Sequence, residues 1–304
     1  MKVEKLNQYP VRVPAKSAFA IETPPQELPL HQLLVSCAKR GGGKTSSLVS
    51  KMMDYQKQGL CDRIFVCSPT LGSNKAVLEQ LQIADDDMFG NPTRESLIEI
   101  VRKIEIEGEE WREYLKKLEN YKRLIKILKS KKPIENIDPE FLLRCLDDES
   151  LLEPPRSRYG HSPRLFIFLD DCMGTDVFST SKNSPFISMC LRHRHLGGDG
   201  IGASIFMAIQ SYTGQGSALP RCVRQNVTTL CLFKSKDKKS VDKIVEECCE
   251  DIDEAQFREC YAVATKEPFN FLCINFAATE SKFRFRKNWD ELLILPEPDE
   301  ESVV

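Results

Sequence analysis

The chain has 304 residues, enough to bury a full core as one large α/β domain with embellishments. Apolar residues make up 41% and charged residues 29%, a balance that excludes disorder over most of the length. The formal net charge of -2 excludes a whole-molecule attraction to nucleic acid, so any such affinity has to come from local basic patches.

The twelve cysteines show neither a Cys-x-x-Cys pair nor zinc-type Cys/His spacing, and read as buried small hydrophobes in a reducing compartment. Cys248 and Cys249 are adjacent on a predicted helix, so one of them is expected to be partly exposed. No apolar run has the length of a membrane span, and the opening Met1-Lys2-Val3-Glu4 lacks the apolar core of a secretion signal. These features predict an intracellular protein with no membrane partner.

Along the chain, residues 1–31 carry Pro10, Pro14, Pro24, Pro25 and Pro29, which forbid regular helix and predict an extended arm lying on this molecule or on a neighbour. Leu33 to Cys37 is a short buried strand, followed by a glycine loop and by a helix from Thr45 to Gln58 that Gly59 closes. Arg63 to Cys67 is the second strand. Strand, loop, helix, strand is the beginning of a parallel sheet.

Residues 73–152 read as a helical insertion, taken as a hairpin. Its centre is an apolar stripe of Trp111, Tyr114, Leu115, Leu118, Tyr121, Ile125 and Leu128 at three- and four-residue intervals. After Glu153-Pro154-Pro155, Arg164 to Leu169 is an intensely apolar strand ending in Asp170-Asp171. A helix from Phe186 to His195 then leads to a strand from Ala203 to Ile209 that ends on Gln210, and Thr229 to Phe233 is a further strand. A carboxy-terminal αβ extension, 237–304, is expected to hold helices near 238–249 and 253–264 and strands near 269–276 and 283–286.

Ala38-Lys39-Arg40-Gly41-Gly42-Gly43-Lys44-Thr45 sits between a buried strand and a helix, where a glycine-rich turn leaves backbone N–H groups pointing into one concavity. Phosphate fits there. The residues expected around the phosphates of ATP are Lys39, Arg40, Gly41, Gly42, Gly43, Lys44, Thr45 and Ser46, with the Lys44 ammonium reaching the β- and γ-phosphates. Thr45 and Asp170 are the expected magnesium ligands, since ATP-bound magnesium keeps waters that a carboxylate at a neighbouring strand tip orients. Asp171 suits polarisation of the attacking water, and Gln210 suits sensing the γ-phosphate through its amide. The strict motif begins with Gly where this chain has Ala38.

The order of these pieces resembles the FtsK/HerA superfamily of ring-forming DNA-pumping ATPases, and most closely the poxvirus-type genome-packaging ATPases of large DNA viruses and their virophage or Polinton-like relatives. The matching pieces are Ala38 to Thr45, Leu169-Asp170-Asp171, Arg194-His195-Leu196, Ile209-Gln210-Ser211 and Val223-Arg224-Gln225-Asn226, across residues 33–240 apart from the insertion. The resemblance implies a P-loop NTPase of RecA-like (ASCE) type, with a mostly parallel sheet of order 5-1-4-3-2 flanked by helices. It also implies a homo-oligomeric ring of five or six subunits, double-stranded DNA and a capsid protein as partners, a host-cytoplasm, viral-factory or virion location, and an arginine donated in trans. Arg194 matches the position of that finger, with Arg224 second; the alternative for residues 192–195 is a solvated cationic helix end. The chain departs from the pattern in carrying Asp171 where many relatives have Glu, and in the lengthened turn Gly197-Gly198-Asp199-Gly200.

Two basic features are ambiguous. The face with Lys116, Lys117, Lys122, Arg123, Lys126 and Lys129 suits either DNA phosphates, a neighbouring subunit or plain solvation. Phe283 to Lys287 reads as an edge strand protected by charge. Against a DNA-packaging motor stand two other readings: a P-loop kinase acting on a small acceptor, and a non-catalytic nucleotide-binding scaffold associated with a capsid.

Overall fold

The computed structural model describes residues 23, 27–129, 139–140, 143, 153–178, 184–198, 200–213, 218–248 and 253–295. In chain order the strands and helices are β1 (Leu33–Cys37), α1 (Lys44–Lys57), β2 (Arg63–Cys67), α2 (Lys75–Leu78), β3 (Met88–Phe89), α3 (Arg94–Lys129), β4 (Leu165–Asp170) and α4 (Pro185–Arg192). They continue with β5 (Ala203–Ile209), α5 (Arg221–Arg224), β6 (Thr229–Phe233), α6 (Lys238–Cys248), α7 (Glu254–Ala264), β7 (Phe271–Asn275), β8 (Phe285–Lys287) and β9 (Glu291–Leu292).

Among the described residues these strands form one sheet of order β3-β2-β4-β5-β1-β6-β7-β8-β9. Its parallel core β6-β1-β5-β4-β2 is the expected order 5-1-4-3-2, since β4, β5 and β6 are the third, fourth and fifth of the strands anticipated. The detail differs at both edges. β3 adds a short parallel strand outside β2, and β7, β8 and β9 continue the sheet antiparallel from β6.

Both faces of the sheet are covered, which is why its core strands are apolar throughout instead of alternating. Side-chain alternation still assigns the faces. Leu165, Ile167 and Leu169 of β4 point to one layer, with Ile100 and Ile104 of α3, while Phe166 and Phe168 point to the other, with Leu48, Met52 and Tyr55 of α1. Continuing that parity puts Asp170 on the α1 side. Helix α1 buries Leu48, Met52 and Tyr55 at four- and three-residue spacing, and the left-handed Gly59 (φ 66°) follows its end.

Arg94–Lys129 is a single helix of 36 residues, and most of the remainder of the expected helical hairpin lies outside the described residues. Leu97, Ile100 and Ile104 anchor its first half in the core, whereas the predicted stripe from Trp111 onward is only half-buried, with Leu115 and Leu128 exposed. Arg63 at the start of β2 fixes α3 in position. Its guanidinium donates from Nε and Nη2 to Asp87 (2.7 and 2.8 Å) and from Nη1 to Glu107 of α3 (2.7 Å).

Most of the proposed arm, 1–31, lies outside the described residues. Its last part rests on this molecule: Leu28 is buried against α1, and Glu27 pairs with the buried Lys51 at 2.6 Å. The 283–286 strand also needs correction. Ser281–Phe283 is a 3-10 turn, the strand is Phe285–Lys287 with Arg286 buried, and β9 lies outside it, so β8 is not an edge. Cys248 is half-exposed, while Cys249 is outside the described residues. No helix among the described residues is long and apolar enough to cross a membrane.

Candidate functional site: a phosphate cradle at the carboxyl ends of the strands

The parallel strands all run one way, so the turns after β1, β4 and β5 meet at their carboxyl ends, where ligands of open α/β sheets bind. A cavity of about 750 Å³ opens there, lined by residues Arg40 to Ser47, by Thr70, Ser73 and Asn74, by Asp170, Asp171 and Gln210, and by Phe269.

The glycine turn is built by three different constraints. Gly41 (φ 73°) and Gly43 (φ 93°) adopt the left-handed region that favours glycine, and Gly43 begins α1 with no side-chain cap, leaving the helix N-terminus to a ligand. At Gly42 the constraint is space. A Cβ there would stand 2.8 Å from the Ala38 Cβ and 3.0 Å from the Lys39 carbonyl oxygen. Ala38 and Gly42 therefore share one small volume, which is why the departure from Gly at position 38 is tolerated with only a methyl.

Lys44 is buried and its Nζ donates to the carbonyl of Ala38 (3.0 Å) and to that of Lys39 (3.4 Å), which curls the side chain back over the loop. The Thr45 hydroxyl donates to Asp170 Oδ1 at 2.7 Å. Asp170 is fully buried, and its Oδ2 accepts from Asn74 Nδ2 (2.7 Å) and Ser68 Oγ (3.3 Å). Burial pushes its carboxyl above the ordinary 3.8; the hydrogen bonds from Thr45, Asn74 and Ser68 oppose that without overcoming it, and the Asp171 charge adds to the push. Burial also lowers the Lys44 ammonium, against the pull of Asp171 and Asp170. A polyanion beside Lys44 and a cation beside Asp170 would relieve both.

Asp171 takes φ 51°, a left-handed conformation that Asp tolerates better than most residues. This kink holds Asp171 at the cavity, where its Oδ1 accepts from Gln210 Nε2 at 2.8 Å. The Gln210 amide is thus engaged with Asp171, so the two expected catalytic groups form one unit.

Not every expected residue comes to this place. Arg40 to Ser46 line the cavity, but the exposed Lys39 lines a smaller neighbouring one and offers the site only its carbonyl. Arg194 is exposed in the 3-10 turn His193–His195 before β5, whereas Gln210 follows β5; seven strand residues put them about 20 Å apart. Arg224 is held by Glu247 through two hydrogen bonds of 2.8 and 2.7 Å, away from the cavity. Conversely, Ser68, Asn74 and Phe269 belong to the site without having been anticipated. The signal for Asn74 was the turn-rich segment Ser68-Pro69-Thr70-Leu71-Gly72-Ser73-Asn74 after β2, at the same sheet end; nothing local marked Phe269.

One strand, β5, separates the strand bearing the glycine loop from the strand ending in Asp170. That order, the loop and the Thr45–Asp170 contact are the arrangement of a P-loop nucleotide-binding fold. No protein-family model and no curated protein matches the sequence. Among solved structures, the chain is similar to the genome packaging NTPase B204 of Sulfolobus turreted icosahedral virus 2 in complex with ATP-gammaS: 10% identity, 86% of this chain and 98% of that one covered, TM-score 0.46. It is also similar to the pCW3 conjugation coupling protein TcpA with ATPgS, at 12% identity, 82% and 58% covered and TM-score 0.45. A third neighbour is the cytoplasmic domain of the Thermomonospora curvata Type VII secretion ATPase EccC, at 13% identity, 89% and 26% covered and TM-score 0.43. Likenesses this distant carry no functional argument, which rests on the residues of the cavity.

Proposed function

We propose that the chain is an ATP-hydrolysing translocase of double-stranded DNA that packages a viral genome into a preformed capsid. The observation that carries the ATPase part is the 2.7 Å contact of Thr45 with Asp170 beside Lys44 and the Asp171–Gln210 pair, all lining one cavity. The backbone of residues 40–46 cradles the phosphates, and Lys44 leaves the carbonyls of Ala38 and Lys39 for β- and γ-phosphate oxygens. Thr45 and Asp170 present hard oxygen donors that suit magnesium, which supplies neutralisation of the phosphate charge when bound. Asp171, fixed by Gln210, orients the water that attacks the γ-phosphorus as the ADP oxygen leaves.

DNA as the track is supported by the ordered motif set that ends in Arg194, Gln210 and Arg224-Gln225-Asn226. In this reading the ring closes so that Arg194 of one subunit meets the ATP of the next, and the exposed Lys116, Lys117, Lys122, Lys126 and Lys129 face of α3 is available to DNA or a neighbour. The test is the ATPase rate with and without duplex DNA, at two salt concentrations. We expect stimulation that salt weakens. Turnover indifferent to DNA, with phosphate recovered on a small acceptor, would make the protein a kinase; no turnover at all would make it a scaffold.

A further inference from the structure

Phe269 is out of place as a structural residue. It is 69% exposed, although it is a large apolar side chain, and its φ of 67° lies in the left-handed region, where a bulky residue is a genuine outlier. Asn270, the next residue, would hold such a turn with less strain. Strain of this kind is kept where it serves a site. Phe269 also lines the phosphate cavity, and a Cβ added to Gly43 would meet its Cδ1 at 3.4 Å and the Phe233 ring at 3.7 Å. Two aromatic rings therefore flank the last glycine of the loop.

Sheet order decides which end of the cavity this is. Asp170 ends β4, two strands to one side of β1, and Phe233 ends β6, one strand to the other side. Three strand spacings, about 14 Å, separate the acidic end of the cavity from the aromatic end. A triphosphate tail lying along residues 41–46 with its terminal phosphate at Asp170 and Asp171 directs the rest of the molecule to Phe269. An exposed aromatic face at that position is a stacking platform, because every nucleobase offers a π-face.

We propose that Phe269 is the residue on which the nucleobase stacks, so that the site takes nucleoside triphosphates by ring as well as by tail and favours the larger purines. This rests on the phosphate-site reading. It is a binding role distinct from the hydrolytic residues.

Binding of AMPPNP, GMPPNP and inorganic tripolyphosphate to the full chain and to Phe269→Gly tests it by calorimetry. Glycine suits the left-handed turn, so this variant keeps the backbone conformation. The expected result is roughly tenfold weaker binding of both nucleotides with tripolyphosphate affinity unchanged. Phe269→Trp should restore affinity and report the nucleotide by a change in indole fluorescence that tripolyphosphate does not produce. Unchanged AMPPNP affinity in Phe269→Gly overturns the proposal, as does an equal loss for tripolyphosphate, which would make Phe269 a support of the loop. If the parent chain binds neither nucleotide nor tripolyphosphate, the phosphate-site reading itself fails and takes this one with it.

Discussion

Burial disfavours the charged forms of both Lys44 and Asp170, and a phosphate beside the one with a cation beside the other would relieve that. The loop carbonyls of Ala38 and Lys39 keep the Lys44 ammonium at the loop, and it exchanges them for phosphate oxygens when nucleotide binds. Lys44→Ala should reduce turnover by about 10²- to 10³-fold, the usual loss when one preorganised donor to a developing anion is removed; a steady-state phosphate-release assay at saturating ATP reads it, and near-parental turnover refutes the role. Asp170 allows a sharper test. Because its folded pKa is raised, the group favours folding only below its unfolded value, and that contribution is lost as pH rises through the folded pKa. Asp170→Asn should therefore lose hydrolysis yet melt at or above the parent temperature at pH 7 without nucleotide. Its advantage should shrink as pH falls through the raised pKa towards 3.8, and a variant that melts well below the parent at pH 7 would contradict it.

At the scale of elements, the lengthened glycine turn before β5 has a packing reason. A Cβ on Gly108 of α3 would come within 1.9 Å of the Gly197 carbonyl oxygen, and one on Gly197 within 2.9 Å of the Ile104 carbonyl oxygen. Backbone meets backbone there, and Arg112 Nη1 donates to the same Gly197 oxygen at 2.5 Å. The long helix is thus locked to the turn that follows Arg194. In an open helix Gly→Ala gains up to about 1 kcal/mol. Gly108→Ala should instead destabilise by about 1–3 kcal/mol, as overpacking does, and urea unfolding read by circular dichroism checks the sign. A stabilised variant would show that helix and turn are not in contact in solution.

For the whole molecule, the distance between Arg194 and its own cavity is the decisive quantity. An arginine about one strand length from Gln210 does not reach the cavity of its own subunit, so a role in hydrolysis requires subunits that meet head to tail. Arg194→Ala should spare nucleotide binding and block turnover. Mixing it with Asp170→Asn subunits should recover part of the activity, because some interfaces then pair an intact finger with an intact acid. No recovery would leave Arg224, which must first give up its bidentate pair with Glu247.

The sequence by itself determined what short-range chemistry determines: the strand, glycine turn and helix around residues 33–57, the apolar strands that carry Asp170 and Gln210, and the parallel character of the sheet. Those follow from periodicity, from glycine's conformational range and from burial, all readable within a few residues. Only the tertiary structure decided which separated segments meet. Asn74 reaches Asp170 because β2 and β4 are neighbours, β8 is not an edge because β9 pairs with it, and Phe269 reaches Gly43 because the antiparallel β6–β7 pair brings it back to the loop. Such contacts depend on strand order and register between residues tens to hundreds of positions apart, and no local preference encodes them.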